Sequence, residues 1–215
     1  MMLRKLLLPW VLGVLVTAAP AVAAPAAPVR SVVKAKKSTG KKLTKGRRVA
    51  NRAGSLVGVP LARQAKVPDD CSGLVRAAYH AVGVELLSHG TLPGENAVSA
   101  IYRRAKSAGA VHRKTPKPGD LVFFHETYDR NRDGQRNDGL THLGVIESVE
   151  RDGTVVFVHR GGSGVKRARM NLAQPTKRRT KTGQVLNDYI RRAEDGQRAR
   201  FASELFSGYA SAARL

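Results

Sequence analysis

The chain has 215 residues and a formal net charge of +22, from 38 Lys and Arg against 16 Asp and Glu. A hydrophobic content of 42% at this length is enough for one core and excludes a chain that is disordered throughout. The chain has one cysteine, Cys71, which excludes a disulfide within the chain.

Residues 1–23 have the pattern of a signal peptide. Arg4 and Lys5 supply the positive end, Leu6–Val16 form the apolar run, and Ala21–Ala23 provide small residues for cleavage. Because the apolar run is too short to span a bilayer comfortably, a membrane anchor is the weaker interpretation. We therefore predict a secreted or periplasmic protein with no transmembrane anchor in the mature chain.

Residues 24–48 are predicted to be a flexible basic arm. No acidic residue occurs before Asp69, and like charges at this density repel one another and cannot be buried. The arm suggests an anionic partner, for which anionic cell-envelope polymers bound by residues 30–48 suit an exported protein. Nucleic acid is not expected, because no aromatic residue lies among these charges to stack on bases. A solvated linker that binds nothing specific is the alternative.

Residues 49–175 begin with helical patterns and continue with strand patterns, which predicts an α+β catalytic domain. Apolar residues at helical spacing are followed by short segments rich in β-branched and aromatic residues. The predicted helices are Val49–Val57, a segment from Cys71 to Gly83, and Glu95–Ala108, and the predicted strands are Leu121–Phe124, Leu143–Val149, Thr154–Val158 and Gly164–Met170. Residues 176–215 are predicted to form a C-terminal helical extension, with helices around Val185–Arg192 and Phe201–Ala213.

Cys71 is either a buried small hydrophobic residue or a reactive nucleophile. It opens a predicted helix directly after Asp69 and Asp70, which suit a helix N-terminus. The exposed amides of that terminus favour a thiolate, so we expect the nucleophilic form of Cys71 to be stabilised.

His142 and His159 lie on the two strands of a predicted hairpin that turns at residues 151–153. With a four-residue loop Val149 pairs with Thr154 and Gly144 with His159, so that the two histidines are diagonal neighbours on one face. A three-residue loop would place them on opposite faces, and the prediction therefore requires an even loop.

A cysteine nucleophile needs a base within hydrogen-bond reach and a third group that orients the base. On this hypothesis Cys71 attacks a carbonyl, His142 exchanges the proton, and His159 orients the ring of His142. Backbone amides at the start of the Cys71 helix are placed to stabilise the oxyanion. The alternative is that both histidines are polar residues of a strand edge.

Four motifs occur in a fixed order: Asp70 to Val75 (DCSGLV), Pro118 to Phe124 (PGDLVFF), His142 to Ile146 (HLGVI) and Phe157 to His159 (FVH). In order and spacing they resemble the NlpC/P60 family of papain-like cysteine peptidases. The resemblance implies a papain-like fold, with the cysteine helix packed on an antiparallel sheet of about four to six strands. It also implies a triad of Cys71, His142 and His159, no metal for catalysis, and peptidoglycan stem peptides as substrate.

The segment before His142 has the pattern of a calcium-binding loop. Oxygen ligands alternate along it and a glycine stands at the sixth place, although the usual glutamate at the twelfth place is Leu140. The predicted structural calcium ligands are Asp129, Asn131, Asp133, Gln135 and Asp138. The alternative is a surface loop whose Asp and Asn side chains cap their own backbone.

Taken together, these patterns predict an exported cysteine endopeptidase that hydrolyses amide bonds in peptidoglycan stem peptides or cross-links. Two alternatives remain open. One is a non-catalytic cell-wall-binding module on the same scaffold, and the other is an amidase or acyltransferase that acts on another substrate.

Overall fold

The computed structural model describes residues 42–63, 66–193 and 196–215. The predicted signal peptide, and the basic arm as far as residue 41, lie outside the described residues. Within the described part of the chain, no helix is both long enough and apolar enough to span a membrane.

Three helices precede or flank one large sheet, which confirms the predicted α+β fold class. The helices are α1 (Lys45–Ser55), α2 (Cys71–His80) and α3 (Ala97–Ser107). The strands are β1 (Val111–His112), β2 (Leu121–His125), β3 (Leu140–Val149), β4 (Val155–Gly161), β5 (Gly164–Met170), β6 (Tyr189–Arg191), β7 (Arg200–Phe201) and β8 (Phe206–Ala210).

Six strands form an antiparallel sheet in the order β1-β8-β2-β3-β4-β5, and β6 pairs with β7 in a separate two-stranded sheet. Side chains alternate between the two faces of the large sheet. Leu121 and Phe123 of β2 pack in a core cluster with the helices, whereas Val122 and Phe124 belong to a second cluster on the other face. The large sheet is therefore buried on both faces.

The predicted C-terminal helical extension is wrong. In the described part of residues 176–215 the regular elements are three short strands and a 3-10 turn over Ala202–Leu205. Phe201, Leu205 and Tyr209 are spaced four residues apart, which is also the spacing of a buried helical face. All three are buried, and Leu205 and Tyr209 belong to the second core cluster. The free edge of β2 offers β8 a ladder of backbone hydrogen bonds, and this tertiary pairing outweighs the helical pattern.

The predicted domain boundaries change for the same reason. Because β8 lies between β1 and β2, the tail completes the sheet of the predicted catalytic domain instead of forming an extension of it. At the other end α1 begins at Lys45, inside the segment predicted as a flexible arm. Thr44 caps this helix by accepting a hydrogen bond from the Arg47 amide, at 3.2 Å.

The hairpin of β3 and β4 has the predicted register at the histidines, but its loop differs from the predicted one. The Glu150 amide donates to the Thr154 carbonyl across a three-residue loop, which by itself would separate the histidines. A β-bulge at Glu147 then adds one residue to β3, so that Val145 pairs with Val158 and Gly144 faces His159. The even loop is therefore wrong, but the predicted pairing of Gly144 with His159 is present.

Candidate active site

Cys71 is the first residue of α2, and the turn before it is held by Asp70. The Asp70 carboxylate accepts hydrogen bonds from the Gly73 amide at 2.8 Å and from the Ser72 hydroxyl at 2.7 Å. A side chain at Gly73 would collide with the chain that leads into the helix, since a Cβ there would lie 1.8 Å from the Pro68 carbonyl oxygen. The position of the thiol is thus set by a cap and by a close backbone approach.

His142 and His159 are in direct contact. Nε2 of His142 lies 2.9 Å from Nδ1 of His159, and the two rings are nearly perpendicular, at 89°. His159 is buried, with 3% of its surface exposed, whereas His142 is partly exposed. Since Nε2 of His142 is engaged with its neighbour, Nδ1 is the nitrogen that remains for another partner.

The three residues of the predicted triad line one cleft of about 480 Å³. Cys71 enters it from the start of α2, and the histidines enter from β3 and β4. Helix α2 packs against β3, the strand that carries His142. The helix that begins at Cys71 therefore lies directly against the strand that carries the candidate base.

Burial disfavours the charged forms of all three residues of the predicted triad. It raises the pKa of Cys71 to about 11, and the negative charge of Asp70 adds to the rise. Burial also lowers the pKa of His142 to about 4 and that of His159 well below its usual value. The expectation that the helix N-terminus would stabilise the thiolate is not supported, because loss of solvation outweighs the backbone hydrogen bonds that favour it.

The loop at residues 129–138 forms hydrogen bonds within itself. Asp129 accepts from the amides of Arg132 and Gly134, and Asp138 accepts from the amides of Arg130 and Asn131. Asp133 accepts from the Gln135 amide and from the side chains of Asn131 and Asn137. The loop thus has the self-capped turns of the alternative interpretation, and calcium binding stays a prediction.

None of the predicted calcium ligands lines the cleft. Across the described residues, moreover, no three His, Cys, Asp or Glu side chains are grouped as metal ligands.

Several residues that line the cleft were not predicted from the sequence. They come from the loop after β2, the end of β4 and the tail, and include Thr127, Tyr128, Arg160, Ile190 and Arg192. Arg160 forms a bidentate ion pair with Asp69, with its Nη2 2.9 Å from Oδ2, which joins the β4 end to the segment before α2. No local motif marks the tail residues, since their place depends on how the tail packs.

Comparison with known proteins agrees with this geometry. The model of the NlpC/P60 family matches residues 62–184, a range that contains Cys71, His142 and His159. Neither the curated proteins nor the solved structures contain a significant match to this chain. Because the family model covers more than half of the 215 residues, the chain belongs to the NlpC/P60 family, whose members are cysteine hydrolases that act on peptidoglycan in the cell wall.

Proposed function

We propose that this protein is an exported cysteine endopeptidase that cleaves amide bonds in peptidoglycan stem peptides or cross-links. The observation that carries the proposal is the 2.9 Å contact between the two histidines in the cleft that also holds Cys71. In this assignment Cys71 is the nucleophile, His142 is the general base and acid, and His159 orients His142.

The proton positions follow from the histidine contact. When His142 donates its Nε2 proton to Nδ1 of His159, its own Nδ1 is unprotonated and can accept the proton of the Cys71 thiol. His159 then carries its proton on Nε2, which is buried and has no hydrogen-bond partner among the described residues. Because the pKa of His142 is low and that of Cys71 is high, we expect the thiol to lose its proton during attack and not before it.

Acylation and hydrolysis then follow in two steps. The Cys71 sulfur bonds to the carbonyl carbon while its proton passes to His142, and the amide N–H groups at the start of α2 stabilise the oxyanion. His142 gives the proton to the leaving amine, which departs and leaves a thioester on Cys71. Water, deprotonated by His142, hydrolyses the thioester and restores the thiol.

Digestion of purified sacculi by single variants, with mass spectrometry of the products, tests the proposal. We expect Cys71→Ala and His142→Ala to abolish cleavage, and His159→Ala to retain more activity because His159 acts through His142. Product masses distinguish a cut within the peptide from a cut between sugar and peptide. Full activity of Cys71→Ala would refute Cys71 as the nucleophile. Binding of sacculi without any cleavage by the wild type would instead favour a wall-binding module.

We further propose that the basic residues between 30 and 48 keep the enzyme near anionic cell-envelope polymers. The proposal is supported by the positive charge of this segment, which raises the local concentration of a protein at a polyanion. Deletion of residues 24–41 leaves α1 and its cap intact. We expect the shortened protein to dissociate from sacculi at a lower salt concentration than the full mature chain does. Both proteins should cleave soluble stem peptides at the same rate.

A further inference from the structure

The tail supplies one wall of the catalytic cleft. Ile190 of β6 and Arg192, which follows β6, both line the cleft. Arg191 between them is buried and donates from Nη1 to the Glu126 carbonyl, at 2.8 Å. A buried charged group held by a hydrogen bond fixes the local backbone, so Arg191 anchors the two residues that face the cleft. Both lie beyond the range that the family model matches.

The guanidinium of Arg192 lies against the turn that follows β4, the strand that carries His159. A Cβ added at Gly162 would come within 3.1 Å of Nη2 of Arg192. Gly162 follows β4 and is three residues from His159. The glycine leaves space for the guanidinium against the turn that ends the His159 strand.

Among the described residues that line the cleft, no carboxylate pairs with Arg192. Four charged side chains other than the histidines line the cleft, namely Asp69, Asp70, Arg160 and Arg192. Asp69 is paired with Arg160, and Asp70 caps α2. Arg192 is exposed and forms no ion pair or side-chain hydrogen bond with any residue that the structure describes. Within the described residues, the cleft therefore presents a guanidinium without an acidic partner, beside the apolar side chain of Ile190.

We infer that Arg192 determines substrate specificity by binding a free carboxylate of the peptide, with Ile190 in contact with the adjacent aliphatic part. The inference rests on the proposed function, because it concerns the substrate of that site. A guanidinium offers two parallel N–H donors that match the two oxygens of a carboxylate, which makes this pair stronger and more directional than a neutral hydrogen bond. Stem peptides in which that carboxyl group is free are thus the preferred substrates.

A set of synthetic stem peptides tests this inference, with each carboxyl group amidated in turn. The kcat/KM values are compared for the wild type, Arg192→Gln and the matched control Lys181→Gln. Lys181 is an exposed lysine of the same tail that does not line the cleft, so its replacement removes the same charge. We expect one amidation to lower kcat/KM of the wild type and the control by about tenfold or more, since a charge-assisted pair is lost. For Arg192→Gln, kcat/KM for the free and the amidated peptide should differ by at most about twofold. A small preference remains because the neutral Gln amide can still donate a hydrogen bond.

The outcomes separate this inference from the proposed function. If the wild type cleaves the peptides without discrimination, or if Arg192→Gln keeps the discrimination, the role of Arg192 is refuted and the peptidase stands. If the wild type cleaves none of them, the proposed substrate is wrong. Titration of the same peptides into Cys71→Ala and into Cys71→Ala/Arg192→Gln then decides the inference. A carboxylate preference in the first protein that is lost in the second supports it, and equal binding refutes it.

Discussion

Replacement of Gly73 by alanine is expected to displace Cys71, the proposed nucleophile. A Cβ at this position would lie 1.8 Å from the oxygen and 2.8 Å from the carbon of the Pro68 carbonyl, where ordinary contact begins at 3.4 Å. Both atoms belong to the backbone, so the first turn of α2 and the chain before it must separate by about 1.6 Å. Cys71 lies two residues from the collision and moves with that turn.

The expected magnitudes follow from this overlap. Overpacking of this kind costs about 1–3 kcal/mol in the free energy of unfolding. For a domain of this size each kcal/mol lowers Tm by about 2–4 °C, so a cost of about 2 kcal/mol lowers it by about 4–8 °C. A nucleophile misplaced by about 1 Å loses about two orders of magnitude in kcat/KM. Activity should therefore fall far more than stability does.

Thermal unfolding and peptide hydrolysis measure the two effects, with Gly54→Ala as the matched control. Gly54 also lies in a helix, but a Cβ there would meet Oε1 of Glu147, at 2.6 Å, which is the end of a side chain that can turn away. We expect the control to keep its activity, with Tm changed by at most about 2 °C. If Gly73→Ala has the Tm and kcat/KM of the wild type, the close approach of Pro68 does not position Cys71.

Three further predictions concern charge and metal. Asp70→Asn retains a capping oxygen but removes a negative charge that raises the pKa of Cys71. The pH profile of Cys71 alkylation should therefore shift to lower pH, and an unchanged profile would contradict this. If the loop at residues 129–138 binds calcium, calorimetry should detect the binding and a chelator should lower Tm, and failure of both would exclude it. The pKa of Glu85 is lowered from its usual 4.5 to about 2, chiefly by the hydrogen bond from Arg76. This partly exposed pair therefore contributes stability that is present above pH 4.5 and is lost as the pH falls toward 2. Tm of the wild type should accordingly fall more than that of Glu85→Gln over this range.

Much of the candidate site was predictable because its signals are local. The Asp70 cap and the apolar spacing of the next residues indicate a helix that begins at Cys71, and α2 begins there. The strand segments that carry His142 and His159 were recognisable from their β-branched and aromatic residues. Their contact depended on two irregularities, the three-residue loop and the bulge at Glu147, which compensate for each other. Neither had a clear signal in the sequence.

The sequence by itself determined the order of the motifs, the helix that presents Cys71, and the family. These depend on capping, on periodicity and on spacing, which act over a few residues. The tertiary structure decided that the tail adds β8 to the sheet and brings Ile190 and Arg192 to the cleft. It also decided that burial, and not the helix N-terminus, dominates the pKa of Cys71. Strand pairing and loss of solvation depend on contacts between residues far apart in the chain, and no local pattern specifies them.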